Sequence, residues 1–478
     1  MIFVLCILLC PLSFSFVACS NDGEKCAYDI VAQYDEQTAT LNASVNFSFF
    51  NYTDNALSIL KFNLYPNAYR KDAKYKPVAT PYKEKAYYAG DDFGDMKIES
   101  VAGCKAWSVG GVDENVLVVE FDEDIYPDQT QNIKIEYSVK LAKVNHRTGV
   151  GQTSVSLANF YPVLCFYDKT GFLECPYYDV GDPFVSECAN FNLTLTTPEN
   201  YSVCCGGTSM GEKVENGLKT SKFTAKNTRD FTVILSPNFS VLSAKVGDVD
   251  VKYFYVSDQN AQATIYLAIK AIDYFEGAFG AYPYPTFTLA ETDLYYGGME
   301  YGALATVGKD LSQSAKIYAT VHETAHMWWA EGVGGDQINC AWMDEGLAEY
   351  STFLFFDAHK NYGFSRLALV GEATKSYRAY YSVYNQIFGD VNTTMTRSIC
   401  DFASEYEYVN IAYNKSALMF ESIFNAVGEN NFFASLRDFF NSYKYKVATP
   451  DALIACFVAR DGKCQGFFDA FLQGKIII

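Results

Sequence analysis

The sequence predicts an α+β protein of more than one domain, with a β-rich N-terminal part and a mostly helical C-terminal part. Strict apolar–polar alternation recurs up to about residue 250, the mark of half-buried strands. Beyond that point apolar residues recur at helical spacing. The length, 478 residues, exceeds what one ordinary hydrophobic core organises.

The first clear strand runs from Leu41 to Phe49, where Leu41, Ala43, Val45, Phe47 and Phe49 alternate with Asn and Ser. Val116–Phe121 is an apolar run broken only by Glu120, Ile133–Leu141 alternates again, and Phe191–Thr197 stops at Pro198. Turn clusters such as Gly110-Gly111 and Gly206-Gly207 separate these segments. Residues 27–250 therefore read as an antiparallel β domain. From 251 to 478 the pattern changes. Ala263–Ala278 carries Ile265, Leu267, Ile269, Ile272 and Phe275 and is expected to end at Gly277 and Gly280. Two prolines lead into a strand at Phe287–Ala290, and Ala303–Val307 reads as another. Ser314 is expected to cap a helix over Ala315–Glu331, ended by Gly332, Gly334 and Gly335. A further helix is expected from near Met343.

Composition narrows the function. Hydrophobic residues make up 49% and charged residues 19%, a globular balance. The net charge of -19 excludes nucleic acid as a partner, because phosphate binding needs Lys and Arg. Residues 1–18 are apolar and turn polar at Ser20, as an export segment does, and 19–26 form a polar spacer. Phe16-Val17-Ala18-Cys19 resembles a bacterial lipobox, with Cys19 as the lipid attachment site. A cell-surface lipoprotein is the expectation, and a secreted protein cut near Ala18 the alternative. No other segment is long and apolar enough to span a membrane. Of 14 cysteines, loss of Cys6 and Cys10 with the export segment leaves 12, and 11 if Cys19 carries lipid. Export permits disulfides, but their pairing is not legible.

The chemistry lies in the H-E-T-A-H stretch at 322–326 and in Glu345 after a gap of 18 residues. On a helix, His322 and His326 are one turn apart and face the same way. Two imidazoles and a later carboxylate form the donor set of a catalytic zinc with one open position. Glu323 is offset by about 100° around the helix, beside the metal and not on it, where a general base is needed. Glu349, one turn after Glu345, can orient a ligand imidazole. The chain has four histidines; His146 and His359 lack such company and read as ordinary.

These residues resemble the zinc aminopeptidases of the aminopeptidase N type (gluzincins), whose motif is H-E-x-x-H, 18 residues, then Glu. Gly297-Gly298-Met299-Glu300 is similar to the family's G-x-M-E-N exopeptidase motif, with Tyr301 in place of Asn. Tyr413-Asn414-Lys415-Ser416 is similar to its Y-x-K-G segment, with Ser416 for Gly. Phe62–Asn67 and Phe160-Tyr161-Pro162 are also family-like.

The resemblance implies a saddle-like N-terminal β domain followed by a thermolysin-like catalytic domain. It implies one Zn²⁺ per chain held by His322, His326 and Glu345, with Glu323 as base and Tyr413 as donor to the oxyanion. It further implies that Glu300 anchors the free α-amine, while Gly297, Gly298 and Met299 line the substrate strand. The expected activity is removal of N-terminal residues from peptides by attack of zinc-bound water on the scissile carbonyl. A thermolysin-like endopeptidase and an inactive surface protein that binds peptides are the rival readings. The second amine-binding residue is unplaced, with Gln152 and Asn159 nearby. The chain reads as a short form that stops before the family's C-terminal domains, which leads to the expectation of an open cleft.

Overall fold

A computed structural model describes residues 25–476. The export segment, Cys19 and most of the spacer lie outside these residues.

The alternating segments assemble into one seven-stranded sheet. Its order by residue range is 208–215, 218–228, 189–198, 27–35, 40–50, 130–140 and 95–102. Register places Val45 between Ile30 and Ile135, so three β-branched or aliphatic side chains meet on the buried face. A four-stranded sheet containing Leu57–Asn63 and Val116–Ile125 packs against it. Phe47 and Phe62 meet edge to face across that gap, 5.2 Å apart. One pair departs from the antiparallel expectation: Ala27–Asp35 runs parallel to Ala189–Pro198. Strands so distant in sequence pair without any local signal of direction.

The second unit is built on a five-stranded sheet, ordered 240–246, 249–255, 286–292, 304–308 and 298–301. The break expected at 250 therefore falls inside a strand. The hairpin at 240–255 pairs onward with Thr286–Thr292, which moves the start of the second unit to about residue 240. The helix Ala261–Phe279 buries Ile265, Leu267, Ile272 and Phe275 and closes at Gly280, whose φ of 124° is left-handed territory for glycine. Gly277 lies within that helix and does not end it.

The two units are joined through Arg229. Its guanidinium donates to the carbonyls of Ala330 at 2.7 Å, Ser186 at 2.9 Å and Lys446 at 2.7 Å. Among the described residues no helix is long and apolar enough to cross a membrane, and no cysteine is in a disulfide.

Candidate metal centre

Two helices carry the candidate ligands. The histidine helix is Gln313–Ala325, capped by Ser312, whose hydroxyl accepts from the Ala315 N–H. Both expected ends are corrected. Ser312 takes the capping place given to Ser314, because its extended backbone turns the hydroxyl onto the first turn. The helix stops at Ala325, well before the glycines, because the backbone leaves the α-helical ladder there: Met327 N–H donates to Thr324 O and Trp328 N–H to Ala325 O, three residues back. Trp328 Nε1 donates to Gly280 O and Trp329 Nε1 to Ser351 Oγ, both at 2.9 Å, while His326 Nδ1 takes Trp329 O at 3.0 Å. The glutamate helix, Trp342–Ala358, starts one residue before the expected place and presents Glu345 and Glu349 on one face.

His322, His326 and Glu345 converge, all buried, with their donor atoms within 4.8 Å of one another. The two Nε2 atoms are 3.1 Å apart, and each lies 3.4 Å from Glu345 Oε2. The second nitrogen of His326 is hydrogen-bonded with Trp329 O at 3.0 Å, while that of His322 has the Glu349 carboxylate 3.1 Å away as a charge contact without hydrogen-bond alignment. With the hydrogen on each Nδ1, the tautomer a metal requires, both Nε2 lone pairs point at the same spot. Two lone pairs cannot bond each other, and Glu345 Oε2 is buried with no hydrogen-bond partner. Such a donor set, two imidazoles and one carboxylate, fits Zn²⁺.

The electrostatics agree. Burial opposes charge on His322, but Glu345 and Glu349 win and hold its pKa up at about 10. For Glu345 burial likewise loses, to the two imidazoles whose Nε2 atoms lie 3.4 Å from its Oε2, and its carboxyl is held well below the ordinary range. The acids draw positive charge to the imidazole pair, a demand that a dication meets.

Around this spot is a cleft of about 350 Å³. It is lined by Gly297, Gly298, Met299, Glu300, Glu323, Glu349 and Tyr413, so every candidate on both sides of the histidine helix is brought together. Glu300 sits on the edge strand Gly298–Tyr301 and accepts from Gln337 Nε2 at 3.2 Å. A Cβ on Gly298 would stand 2.5 Å from Glu323 Oε1, so only glycine lets the strand pass the base. Burial first, and then the Glu300 carboxylate, push Glu323 up to about 8 against the pull of the two imidazoles. Tyr413 lies in a π-helical turn, Val409–Lys415, and donates to Glu345 Oε1 at 2.5 Å. Burial, with Glu345 beside it, keeps that phenol protonated.

Several residues here escaped sequence reasoning. His146, read as ordinary, lines the cleft, held by the Tyr69 hydroxyl at 2.6 Å and kept neutral by burial and by Arg147. Arg147 and Asp182 form a buried ion pair in the same wall, and nothing in their local sequence marks it. Tyr318 donates to Glu349 Oε1 at 2.6 Å; its place one turn before His322 was a usable signal. Of the two residues considered for the second amine contact, Asn159 lines a small cavity that Glu300 also lines. Gln152 is among the lining residues of neither that cavity nor the cleft. His359 is half-buried and stacks on Phe355, and it is not among the residues that line the cleft.

Comparison with known proteins agrees with this geometry. Residues 264–470 match the peptidase family M1 domain. A probable aminopeptidase 2 of Sulfurisphaera tokodaii is 26% identical over 234 residues, covering 44% of this chain and 28% of that protein. Aminopeptidase M1-B of Oryza sativa is 23% identical over 296 residues, covering 58% of this chain and 33% of that protein. The matches thus span about a third or less of these relatives' length. Among solved structures, a mutant M1 zinc metallopeptidase from Deinococcus radiodurans superposes with a TM-score of 0.67 at 15% identity, covering 95% of both chains. The same enzyme has been solved with a Tyr-Ser-Ala substrate, at a TM-score of 0.66, 15% identity and coverage of 95% and 94%. The two-domain architecture is shared.

Proposed function

We propose, from the match of residues 264–470 to the peptidase family M1 domain, that this chain is a zinc aminopeptidase that removes residues from the free N-terminus of peptides. The observation that carries the reading is the placement of buried Glu300 in one cleft with the His322–His326–Glu345 triad and Glu323. A buried carboxylate at the end of a substrate strand is an acceptor for a substrate ammonium group, which an endopeptidase has no use for.

Bound at His322, His326 and Glu345, zinc would supply Lewis acidity to the scissile carbonyl and acidify water. The residues do the rest. Glu323, with its raised pKa, takes the proton of the attacking water at its carboxylate and passes it to the leaving amine. Tyr413 gives its hydroxyl proton as a hydrogen bond to the developing oxyanion. Glu300, oriented by Gln337, holds the α-ammonium and sets the scissile bond one residue in.

A panel of aminoacyl chromogens on wild type and Glu323→Gln tests the mechanism. Turnover should fall by about 10²–10⁴ in the variant with metal content unchanged, since proton transfer is lost but no ligand is. Equal rates in the two proteins would refute it.

We propose further that the chain is exported and held at a cell surface through lipid on Cys19. The apolar run 1–18 and the Phe16–Cys19 stretch support this. Metabolic labelling with a fatty acid should mark wild type and not Cys19→Ser; label on both would remove the anchor.

A further inference from the structure

A second, smaller cavity of about 40 Å³ lies beside the amine anchor, and Met299 and Glu300 line both it and the cleft. Three carboxylates face it: Asp230, Glu300 and Glu331. Gln337 donates to Glu300, and the Gly302 N–H donates to Asp230 Oδ1 at 2.9 Å. Glu331 is different. It is 5% exposed, and its Oε2 is buried with no hydrogen-bond partner. The cation in the same wall, Arg229, spends its hydrogen bonds on the carbonyls of Ala330, Ser186 and Lys446, so its charge reaches Glu331 without a direct hydrogen bond between them. A substrate α-ammonium at Glu300 would answer one of the three acids. Two would remain facing a cavity too small for more than a few water-sized groups, and an unpaired buried carboxylate is costly.

We infer that this cavity receives the charged tip of a lysine or arginine side chain on the substrate's N-terminal residue, with Glu331 and Asp230 as its acceptors. The inference rests on the aminopeptidase reading, since it is the α-amine at Glu300 that brings the first side chain next to Met299 and Glu300, which line both the cleft and this cavity. Phe184, Val185 and Tyr65 supply apolar wall for the methylenes of a long unbranched chain, while the cavity is too narrow for an indole or phenyl ring. A small metal ion is the poorer occupant. Among the described residues the groups whose donor atoms converge for an ion are His322–His326–Glu345 and Glu300–Glu323–His326, and neither contains Asp230 or Glu331. Acceptors spread around a cavity suit the three donors of an ammonium or the planar fork of a guanidinium, whereas a metal ion needs its donor atoms converging on one point.

Lysine and norleucine are nearly the same length and differ in the terminal charge, so the pair isolates the inference. The metal-loaded protein is assayed with Lys-, Arg- and norleucine-amidocoumarin. Lysine should exceed norleucine in kcat/KM by at least about tenfold, since buried acceptors left unpaired penalise the neutral chain. That ratio should collapse toward one in Glu331→Gln and in Asp230→Asn. A wild-type ratio near one, or a ratio that survives in both variants, overturns the inference while leaving the aminopeptidase reading intact. If one variant fails to fold, the wild-type ratio and the other variant decide. Absence of turnover on every substrate would instead be a failure of the aminopeptidase reading. In that case L-lysinamide and L-norleucinamide binding to metal-loaded Glu323→Gln, read by calorimetry, tests the cavity directly. Tighter lysinamide binding upholds the inference, and equal binding overturns it.

Discussion

Glu349 Oε2 lies 3.1 Å from His322 Nδ1, while the Tyr318 hydroxyl holds the other oxygen of Glu349 at 2.6 Å. Tyr318 thereby holds the Glu349 carboxylate beside the ring nitrogen of His322 that faces away from Glu345. Glu349→Ala should weaken zinc affinity by about 10–100-fold, the usual cost of losing such a partner. Competition with a chromogenic chelator measures it. Tyr318→Phe should do the same more mildly, because Glu349 stays but loses one restraint.

Tyr413 approaches the candidate ligand set from the π-helical turn, with its hydroxyl on Glu345 and its ring stacked on His322 at 5.8 Å. Tyr413→Phe should lower kcat by about 10²–10³ with KM little changed, as loss of one oxyanion donor does elsewhere. Zinc content, read by atomic emission, should stay at one per chain. A large loss of zinc in this variant would assign Tyr413 to metal retention and not to the oxyanion.

Lys415 sets a pH dependence of stability. Its Nζ is buried, with the carbonyls of Thr393 at 2.5 Å and Phe471 at 3.0 Å as partners. Burial, and then Arg397, pull its pKa from 10.5 to about 7. Two carbonyls use the two N–H groups of a neutral amine, so the uncharged form is well satisfied. Between pH 7 and 10 the unfolded chain binds a proton here that the folded chain does not. Stability should therefore rise as the pH rises from 7 to 9, and this contribution should be lost as the pH falls toward 7. Urea midpoints at pH 7, 8 and 9 should show the rise in wild type and not in Lys415→Met.

The candidate ligand set was legible as geometry because helical periodicity is rigid: spacing of four on a capped helix fixes a shared face, for His322 with His326 and for Glu345 with Glu349. The strands around Val45 and Ile135 were legible for the same reason, through a period of two. What escaped was set by long-range packing. The parallel pairing of Ala27–Asp35 has no local signal, nor has the Arg147–Asp182 pair. The early end of the histidine helix was hidden because Trp328 and Trp329 keep a helical apolar pattern while their indoles are claimed by Gly280 and Ser351. His146 looked ordinary because what places it in the cleft wall is the distant Tyr69 hydroxyl and the Tyr295 ring stacked on it.

The central claim is that the site reads a free N-terminus through Glu300. The direct measurement is kcat/KM of the metal-loaded protein on one peptide in two forms, free-amine and N-acetylated, followed by mass spectrometry. The account predicts stepwise loss of N-terminal residues from the free form and no cleavage of the acetylated one. Comparable cleavage of both would contradict it and make the protein an endopeptidase.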